Sequence, residues 1–310
     1  MKYAIIFPGQ GSQSVGMLSD LAANFPVVKD TFSLASDVLG FDLWRLVQED
    51  NDGINQTQNT QPAMLAAGYA TYRVLKSESD ISPACMAGHS LGEYTALVAS
   101  GALEFHDGIK LVKKRAQLMQ SAVPEGVGAM AAILGLDDQE VVKVCSEYDG
   151  DGIVEAVNFN AIGQVVIAGN KEAIENTCDA MKDAGARRAV ILPVSVPSHC
   201  SLMTRAASDF AIAVNDIEIS MGNVDVIHNF DASISHNTDE IKSKLVAQLH
   251  KPVLWTDTVK SMHNAGVEKL IESGPGKILT GLTRRIEKSL TANAVIDSSS
   301  VATTIKEILL

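Results

Sequence analysis

The sequence predicts an α/β protein built on a parallel sheet, with a smaller subdomain inserted into the larger one. Short apolar runs alternate with longer amphipathic runs along most of the 310 residues. Such alternation is typical of parallel strands joined by crossover helices. With 46% apolar residues, the chain can bury one large core together with a smaller unit.

Four short apolar runs are predicted to be strands of the parallel sheet, and the last of them is followed by Gly-Pro-Gly and a helical run. They are residues 3–7, 84–88, 224–228 and 267–271. A helix is predicted to begin near Thr60, which is a suitable cap, with Pro62 in its first turn.

The stretch 127–194 has a different order of elements. It reads as strand, helix, two strands, helix and strand, with Asp137 opening the first helix, a turn at Gly163, and Asn170 and Gly185 at the ends of the second helix. This βαββαβ order is that of a ferredoxin-like unit. We therefore predict a small ferredoxin-like subdomain of residues 127–194, a large α/β subdomain of residues 1–126 and 195–310, and a cleft where they meet.

The segment AGHSLGEYTALVASG (87–101) places Ser90 between Gly88 and Gly92, after a strand-like run and before a helical one. Glycine two places before and after a serine relieves crowding in a nucleophile elbow, the sharp strand-to-helix turn of an α/β-hydrolase-like core. Ser90 is thus predicted to be a nucleophile, with the Leu91 amide placed to stabilise an oxyanion. His89 is predicted to be a packing residue, since adjacent side chains of the elbow point apart.

A base for Ser90 has to come from elsewhere among the seven histidines. His199, in VPSHCSLM, follows the inserted stretch and precedes a helix, so we expect it on a loop at the cleft. His228, at the end of a predicted strand, is the best alternative. The residues alone leave His199 open between a catalytic and a structural role.

Arg115 lies within the apolar stripe of a predicted helix, HDGIKLVKKRAQLMQSAV. A buried guanidinium needs an anionic partner, because an unpaired buried charge is costly. Two interpretations remain: an internal salt bridge or snorkelled side chain, and a two-point clamp for a substrate carboxylate.

The loop FPGQGSQSVGM (7–17) does not fit a phosphate-binding loop, because Ser14 stands where a dinucleotide fingerprint needs its third glycine. As a tight loop after the first strand, it can instead turn the Gln10 amide towards the elbow.

Composition excludes several classes of function. The net charge of −12 leaves no basic excess for nucleic acid. The N-terminal apolar run is too short for a secretion signal, and no stretch approaches membrane-spanning length. The four cysteines have no metal-binding or redox spacing, so we expect a cytoplasmic protein with reduced, packed thiols: Cys85, Cys145, Cys178 and Cys200.

Several of these segments taken together resemble one family over essentially the whole chain. They are FPGQGSQSVGM, TQPA, GHSLGEYTALVASGAL, GAMAAILGL, VNFNAIGQVVIAG, VPSHCSLM and ESGPGKILTGL. The chain resembles the malonyl-CoA:acyl carrier protein transacylase family of bacterial fatty-acid synthesis. The resemblance implies malonyl-CoA and acyl carrier protein as substrate and partner, a malonyl-serine intermediate, and no metal or redox cofactor.

The resemblance also implies a role for each matching residue. It implies Ser90 as nucleophile, His199 as base, the backbone amides of Gln10 and Leu91 as oxyanion hole, Arg115 as ligand of the malonyl carboxylate, and the main-chain carbonyl of Gln248 as the group that orients the histidine. The alternatives are a serine hydrolase, which needs no buried arginine, and an inactive carrier-protein binding module, which needs no intact elbow.

Overall fold

The structure is a computed structural model, and it describes residues 1–49, 52–194 and 196–308. The strands of this part of the chain are β1 (Tyr3–Phe7), β2 (Met86–Gly88), β3 (Gly128–Leu134), β4 (Val154–Ala161), β5 (Gln164–Asn170), β6 (Arg188–Ile191), β7 (Val226–Ile227), β8 (Lys269–Ser273) and β9 (Thr291–Val295). Two short 3-10 helices span Asp52–Asn55 and Ser201–Met203.

The α-helices lie between these strands, except for the last helix, which follows β9. They are α1 (Ser19–Asn24), α2 (Val27–Leu39), α3 (Leu43–Gln48), α4 (Thr57–Glu78), α5 (Gly92–Ser100), α6 (Phe105–Ala122), α7 (Asp138–Ser146), α8 (Lys171–Asp183), α9 (Thr204–Asn215), α10 (Thr238–Gln248), α11 (Trp255–Asn264), α12 (Ile278–Ile286) and α13 (Ser298–Ile308).

The larger sheet is parallel and has the strand order β7-β2-β1-β8-β9. All five residues of β1 are buried, because helices cover both faces of the sheet. Ile5 and Phe7 pack into one hydrophobic cluster, while Ala4 and Ile6 pack into another on the opposite face. A continuous apolar run is therefore what this strand requires.

The smaller sheet is antiparallel and has the order β4-β5-β3-β6, the ferredoxin-like arrangement of a βαββαβ unit. One face packs against α7 and α8 through a cluster that includes Ile133, Val141 and Ile174. On the other face, Met130 and Val166 pack against Cys200, the neighbour of His199. The predicted fold class is thus confirmed. Residue 195, at the proposed boundary between the small and the large subdomain, lies outside the described residues.

The predicted cap at Thr60 is wrong, and Asn170 stands at the predicted cap position without a capping hydrogen bond from its side chain. Helix α4 begins at Thr57 with Gln56 as its cap, so Pro62 lies inside the helix, and the Thr60 hydroxyl donates to the carbonyl of Ile54 (2.6 Å). Asn170 does precede α8, but its side chain accepts a hydrogen bond from the Ile153 amide (2.8 Å) and caps nothing. The Thr60 hydroxyl bonds to the 3-10 helix 6 residues earlier, and the Asn170 side chain bonds to the residue before β4, 17 residues earlier. The spacing of residues at each helix start does not reveal either contact.

Candidate active site

Ser90 lies on a sharp turn between the end of β2 and the start of α5. Its backbone is left-handed, with a φ of 52°, which is uncommon for a residue other than glycine. A Cβ at Gly88 would lie less than 3.0 Å from the Gly92 backbone, and a Cβ at Gly92 equally close to the Phe7 carbonyl. Only glycine at both positions allows the turn to pack against itself and against β1.

Both backbone polar groups of Ser90 are held by side chains. The Ser90 amide donates to Oδ1 of Asn229 (2.6 Å), which follows β7 in the loop beside the turn. The Ser90 carbonyl accepts a hydrogen bond from Nε2 of Gln248 (2.9 Å), at the end of α10. The strained backbone is therefore fixed at two points.

His199 lies beside Ser90 in a hydrogen-bonded line. Its Nε2 is 2.8 Å from Oγ of Ser90, and its Nδ1 is 2.7 Å from the main-chain oxygen of Gln248. Because a carbonyl only accepts, Nδ1 carries the hydrogen and Nε2 is free to accept the serine proton. Burial, together with the nearby charge of Arg115, lowers the pKa of His199 to about 3, so the ring is neutral at neutral pH.

The other two histidines considered for this site have different partners. Nδ1 of His228 is 2.8 Å from a carboxylate oxygen of Glu93, and its Nε2 lies 2.9 Å from the Ser235 hydroxyl. His89 contacts Oδ1 of Asn160 through Nε2 (2.7 Å) and packs against an indole ring, although it also lines the cavity described below. His199 is thus the one of the three that contacts Ser90.

Arg115, on α6, is 1% exposed. Its Nη1 donates to Oε1 of Gln61 (3.0 Å), and its Nη2 donates to Oε1 of Gln248 (2.9 Å) and to Oγ of Ser90 (3.3 Å). The guanidinium carbon lies 5.3 Å from the centre of the Tyr94 ring. Nε has no hydrogen-bond partner.

These partners of Arg115 are all uncharged. Within the part of the chain that the structure describes, no carboxylate forms a salt bridge with this guanidinium. Burial lowers the pKa of Arg115, and the nearby Tyr94 and Glu93 side chains oppose this shift. The predicted burial is confirmed, and the internal salt bridge is not the explanation for it.

Ser90, His199 and Arg115 open onto one cavity of about 200 Å³ between the two sheets. The larger unit contributes these residues, Gln10 and Leu91, and the βαββαβ stretch contributes the opposite wall: Met130, Asn158, Asn160, Val166, Leu192 and Val194. Among the described residues, neither the Gln10 nor the Leu91 amide donates a hydrogen bond to another protein group. Both amides therefore remain available to a ligand oxygen.

The sequence matches the family described as acyl transferase domain over residues 4–307. The chain belongs to the acyl transferase family. The malonyl CoA-acyl carrier protein transacylase of Escherichia coli (strain K12) is 52% identical over 302 residues, which is 97% of this chain and 98% of that protein.

Solved structures of similar proteins superpose closely on this acyl transferase. An acyl carrier protein S-malonyltransferase from Vibrio cholerae O1 biovar eltor aligns with a TM-score of 0.96 and 52% identity, covering 98% of this chain and 100% of that one. A malonyl-transacylase solved in complex with its type II PKS acyl-carrier protein aligns with a TM-score of 0.98 and 51% identity, covering 99% and 100%.

Among the described residues of this acyl transferase, no group of three or more His, Cys, Asp and Glu side chains could hold a metal ion. None of the described helices has the length and hydropathy that a membrane span needs. All four cysteines are unpaired and buried.

Two polar residues beside Ser90 in this acyl transferase, Asn229 and Glu93, are not among the residues predicted from the sequence. Asn229 is the second residue after the buried strand β7, whose neighbour in the sheet is β2, so strand order could have indicated it. Glu93 is the single charged residue of α5, a helix in which every residue is buried. A single carboxylate in an otherwise uncharged, buried helix indicates a buried residue with specific partners, and this pattern is visible in the local sequence.

Proposed function

We propose that this chain transfers the malonyl group from malonyl-CoA to the phosphopantetheine thiol of acyl carrier protein through a malonyl-serine intermediate. One observation carries the proposal. A nucleophile hydrogen-bonded to a neutral histidine shares its cavity with a buried arginine that has no carboxylate partner among the described residues. The names of the similar proteins support the same activity.

In the first half-reaction, Nε2 of His199 takes the Ser90 proton as Oγ attacks the thioester carbonyl carbon. The amides of Gln10 and Leu91 are proposed to hold the oxyanion of the tetrahedral intermediate. The carbon–sulfur bond then breaks, and coenzyme A leaves as the thiol after taking the proton from His199. The acyl group remains as an ester on Ser90.

In the second half-reaction, His199 takes the proton of the pantetheine thiol, and the sulfur attacks the ester carbon. The ester bond breaks, and the Ser90 oxygen recovers a proton from the same ring. The main-chain carbonyl of Gln248 is proposed to orient His199 throughout, in place of the aspartate of other serine enzymes. Each step balances without a cofactor, since coenzyme A enters and leaves as part of a substrate.

Arg115 is proposed to bind the malonyl carboxylate. Three of its five N–H donors have protein partners, which leaves donors for an anion beside an almost fully buried guanidinium. This feature favours a malonyl donor over an acyl group without charge.

We also propose that residues 127–194 form a small subdomain and that residues 1–126 and 195–310 form the large one. The small subdomain is proposed to form one wall of the cavity. The support is that this stretch has its own sheet and its own hydrophobic cluster. A cytoplasmic location is proposed on the four unpaired, buried cysteines.

Intact-mass measurement of the protein after incubation with malonyl-CoA tests the function. We expect a malonyl adduct that persists in buffer and disappears when holo acyl carrier protein is added, with the acyl group recovered on the carrier. Ser90→Ala, the matched control, should fold and form no adduct. An adduct lost to water at the same rate without the carrier would indicate a hydrolase, and no adduct on the wild-type protein would refute the proposal.

A further inference from the structure

Glu93 is a fully buried carboxylate in the first turn of α5, three residues after Ser90. It accepts three hydrogen bonds. Its Oε2 accepts from the backbone N–H of Asn229 (2.9 Å) and from Nε2 of Gln248 (2.8 Å). Its Oε1 faces Nδ1 of His228 (2.8 Å). The mechanism above gives Glu93 no role, although the desolvation of such a group is costly.

Two partners of Glu93 are the residues that hold Ser90. Asn229 accepts from the Ser90 amide, and Gln248 donates to the Ser90 carbonyl. Gln248 also accepts from Arg115 through its side chain and from His199 through its main chain. Glu93 is therefore one residue away from each of the three side chains proposed to act on the acyl group.

The carboxylate and the Ser90 carbonyl together determine which way the Gln248 amide points. A carboxylate only accepts hydrogen bonds, so the NH₂ group of Gln248 has to face Glu93. The oxygen of the same amide is then left to face the guanidinium of Arg115. If the amide were reversed, its NH₂ group would face the Arg115 donors, and the arginine would lose an acceptor.

We propose that Glu93 is a positioning residue for acyl transfer. By fixing the Gln248 amide and the Asn229 backbone, it holds the Ser90 turn in its left-handed conformation and holds Arg115 at the angle at which it meets the substrate. It does so without touching either substrate. This inference rests on the proposed function for the role of Arg115, but its effect on Ser90 does not.

The test compares Glu93→Gln, Glu93→Asp and Glu93→Ala. Glutamine can keep its oxygen towards Asn229 and Gln248 while its NH₂ donates to Nδ1 of His228, provided that this ring takes its other tautomer and donates Nε2–H to Ser235. Aspartate is one methylene shorter, so it keeps the charge but cannot reach both the Asn229 backbone N–H and Nε2 of Gln248. Alanine removes every acceptor.

The first measurement is the rate at which a small sulfonyl fluoride labels Ser90, because it requires no malonyl chemistry. We expect Glu93→Gln to label within about threefold of wild type and Glu93→Ala to label about ten- to a hundredfold more slowly, since a small misplacement of a nucleophile has an effect of this size. Glu93→Asp should fall between them, and it carries the test if the alanine variant does not fold.

The second measurement is the ratio of acylation rates with malonyl-CoA and acetyl-CoA. A misplaced Arg115 should lower this ratio in Glu93→Asp and Glu93→Ala. Glu93→Gln should keep the ratio of the wild-type protein. Partial unfolding would lower both rates equally and leave the ratio unchanged. Glu272→Ala is the matched control, because Glu272 is also a fully buried carboxylate and accepts from the Leu279 and Thr280 amides outside this network. It should lower stability and leave labelling and ratio as in wild type.

Wild-type labelling and ratio in folded Glu93→Asp or Glu93→Ala would overturn the inference. A loss in Glu93→Gln as large as in Glu93→Ala would also overturn it, because the acceptor geometry would then not be the cause. If the sulfonyl fluoride labels wild-type Ser90 normally but no malonyl adduct forms, the proposed function is refuted. The labelling rates of the Glu93 variants then still decide the role of Glu93.

Discussion

Replacing Arg115 by alanine should remove the preference of the enzyme for a malonyl donor. The side chain is 1% exposed, and its three protein hydrogen bonds leave two N–H donors, one on Nε and one on Nη1, without a protein partner. A hydrogen bond to a charged group has a net value of about 1.5–3 kcal/mol. Counting a single such bond, the ratio of rate constants for malonyl-CoA and acetyl-CoA should fall about ten- to 150-fold.

The acetyl donor separates this effect from general damage to the site. Acetyl-CoA has no carboxylate, so its rate constant should be unchanged or should rise once the buried charge is gone. Arg115→Lys should restore the preference only partly, because an ammonium lacks the planar two-point geometry. Lys114→Ala, on the exposed face of the same helix, is the control. An unchanged ratio in folded Arg115→Ala protein, measured by rapid quench of Ser90 acylation, would refute the reasoning.

The other predictions concern the elbow and the histidine. Gly88→Ala should destabilise the protein strongly in a thermal melt, because its Cβ would overlap the Gly92 backbone. Gly281→Ala, at an exposed position of α12 with open space around it, should stabilise the protein by about 1 kcal/mol; equal melting temperatures would contradict this. A base acts only when unprotonated, so Ser90 labelling should fall on acidification only as pH passes the lowered pKa of His199, about 3, and not near 6.5. In Arg115→Ala the loss should begin at a higher pH, and identical profiles would contradict the charge effect.

Local rules were enough to predict the turn around Ser90 and the burial of Arg115. Two glycines at fixed spacing and an arginine in an apolar stripe each reflect constraints within a few residues of the chain. The fold class followed in the same way from the alternation of apolar and amphipathic runs.

The hydrogen-bonded network beneath Ser90 could not be predicted from such patterns. Asn229 and the Gln248 side chain are unremarkable in sequence, and only the neighbouring positions of β2 and β7, and the end of α10, bring them to the turn. The same limit applies to Thr60 and Asn170, whose side chains bond to segments that local spacing does not identify.

The position of β1 in the parallel sheet has a consequence for how the chain folds during synthesis. This first strand lies between β2 and β8, and its partner Lys269–Ser273 emerges from the ribosome more than two-thirds of the chain later. Until then YAIIF presents an unpaired edge made of apolar residues, the kind of segment that pairs with other chains. A chain that ends before Lys269 would keep that edge permanently, so truncated products should aggregate instead of persisting as partly folded protein.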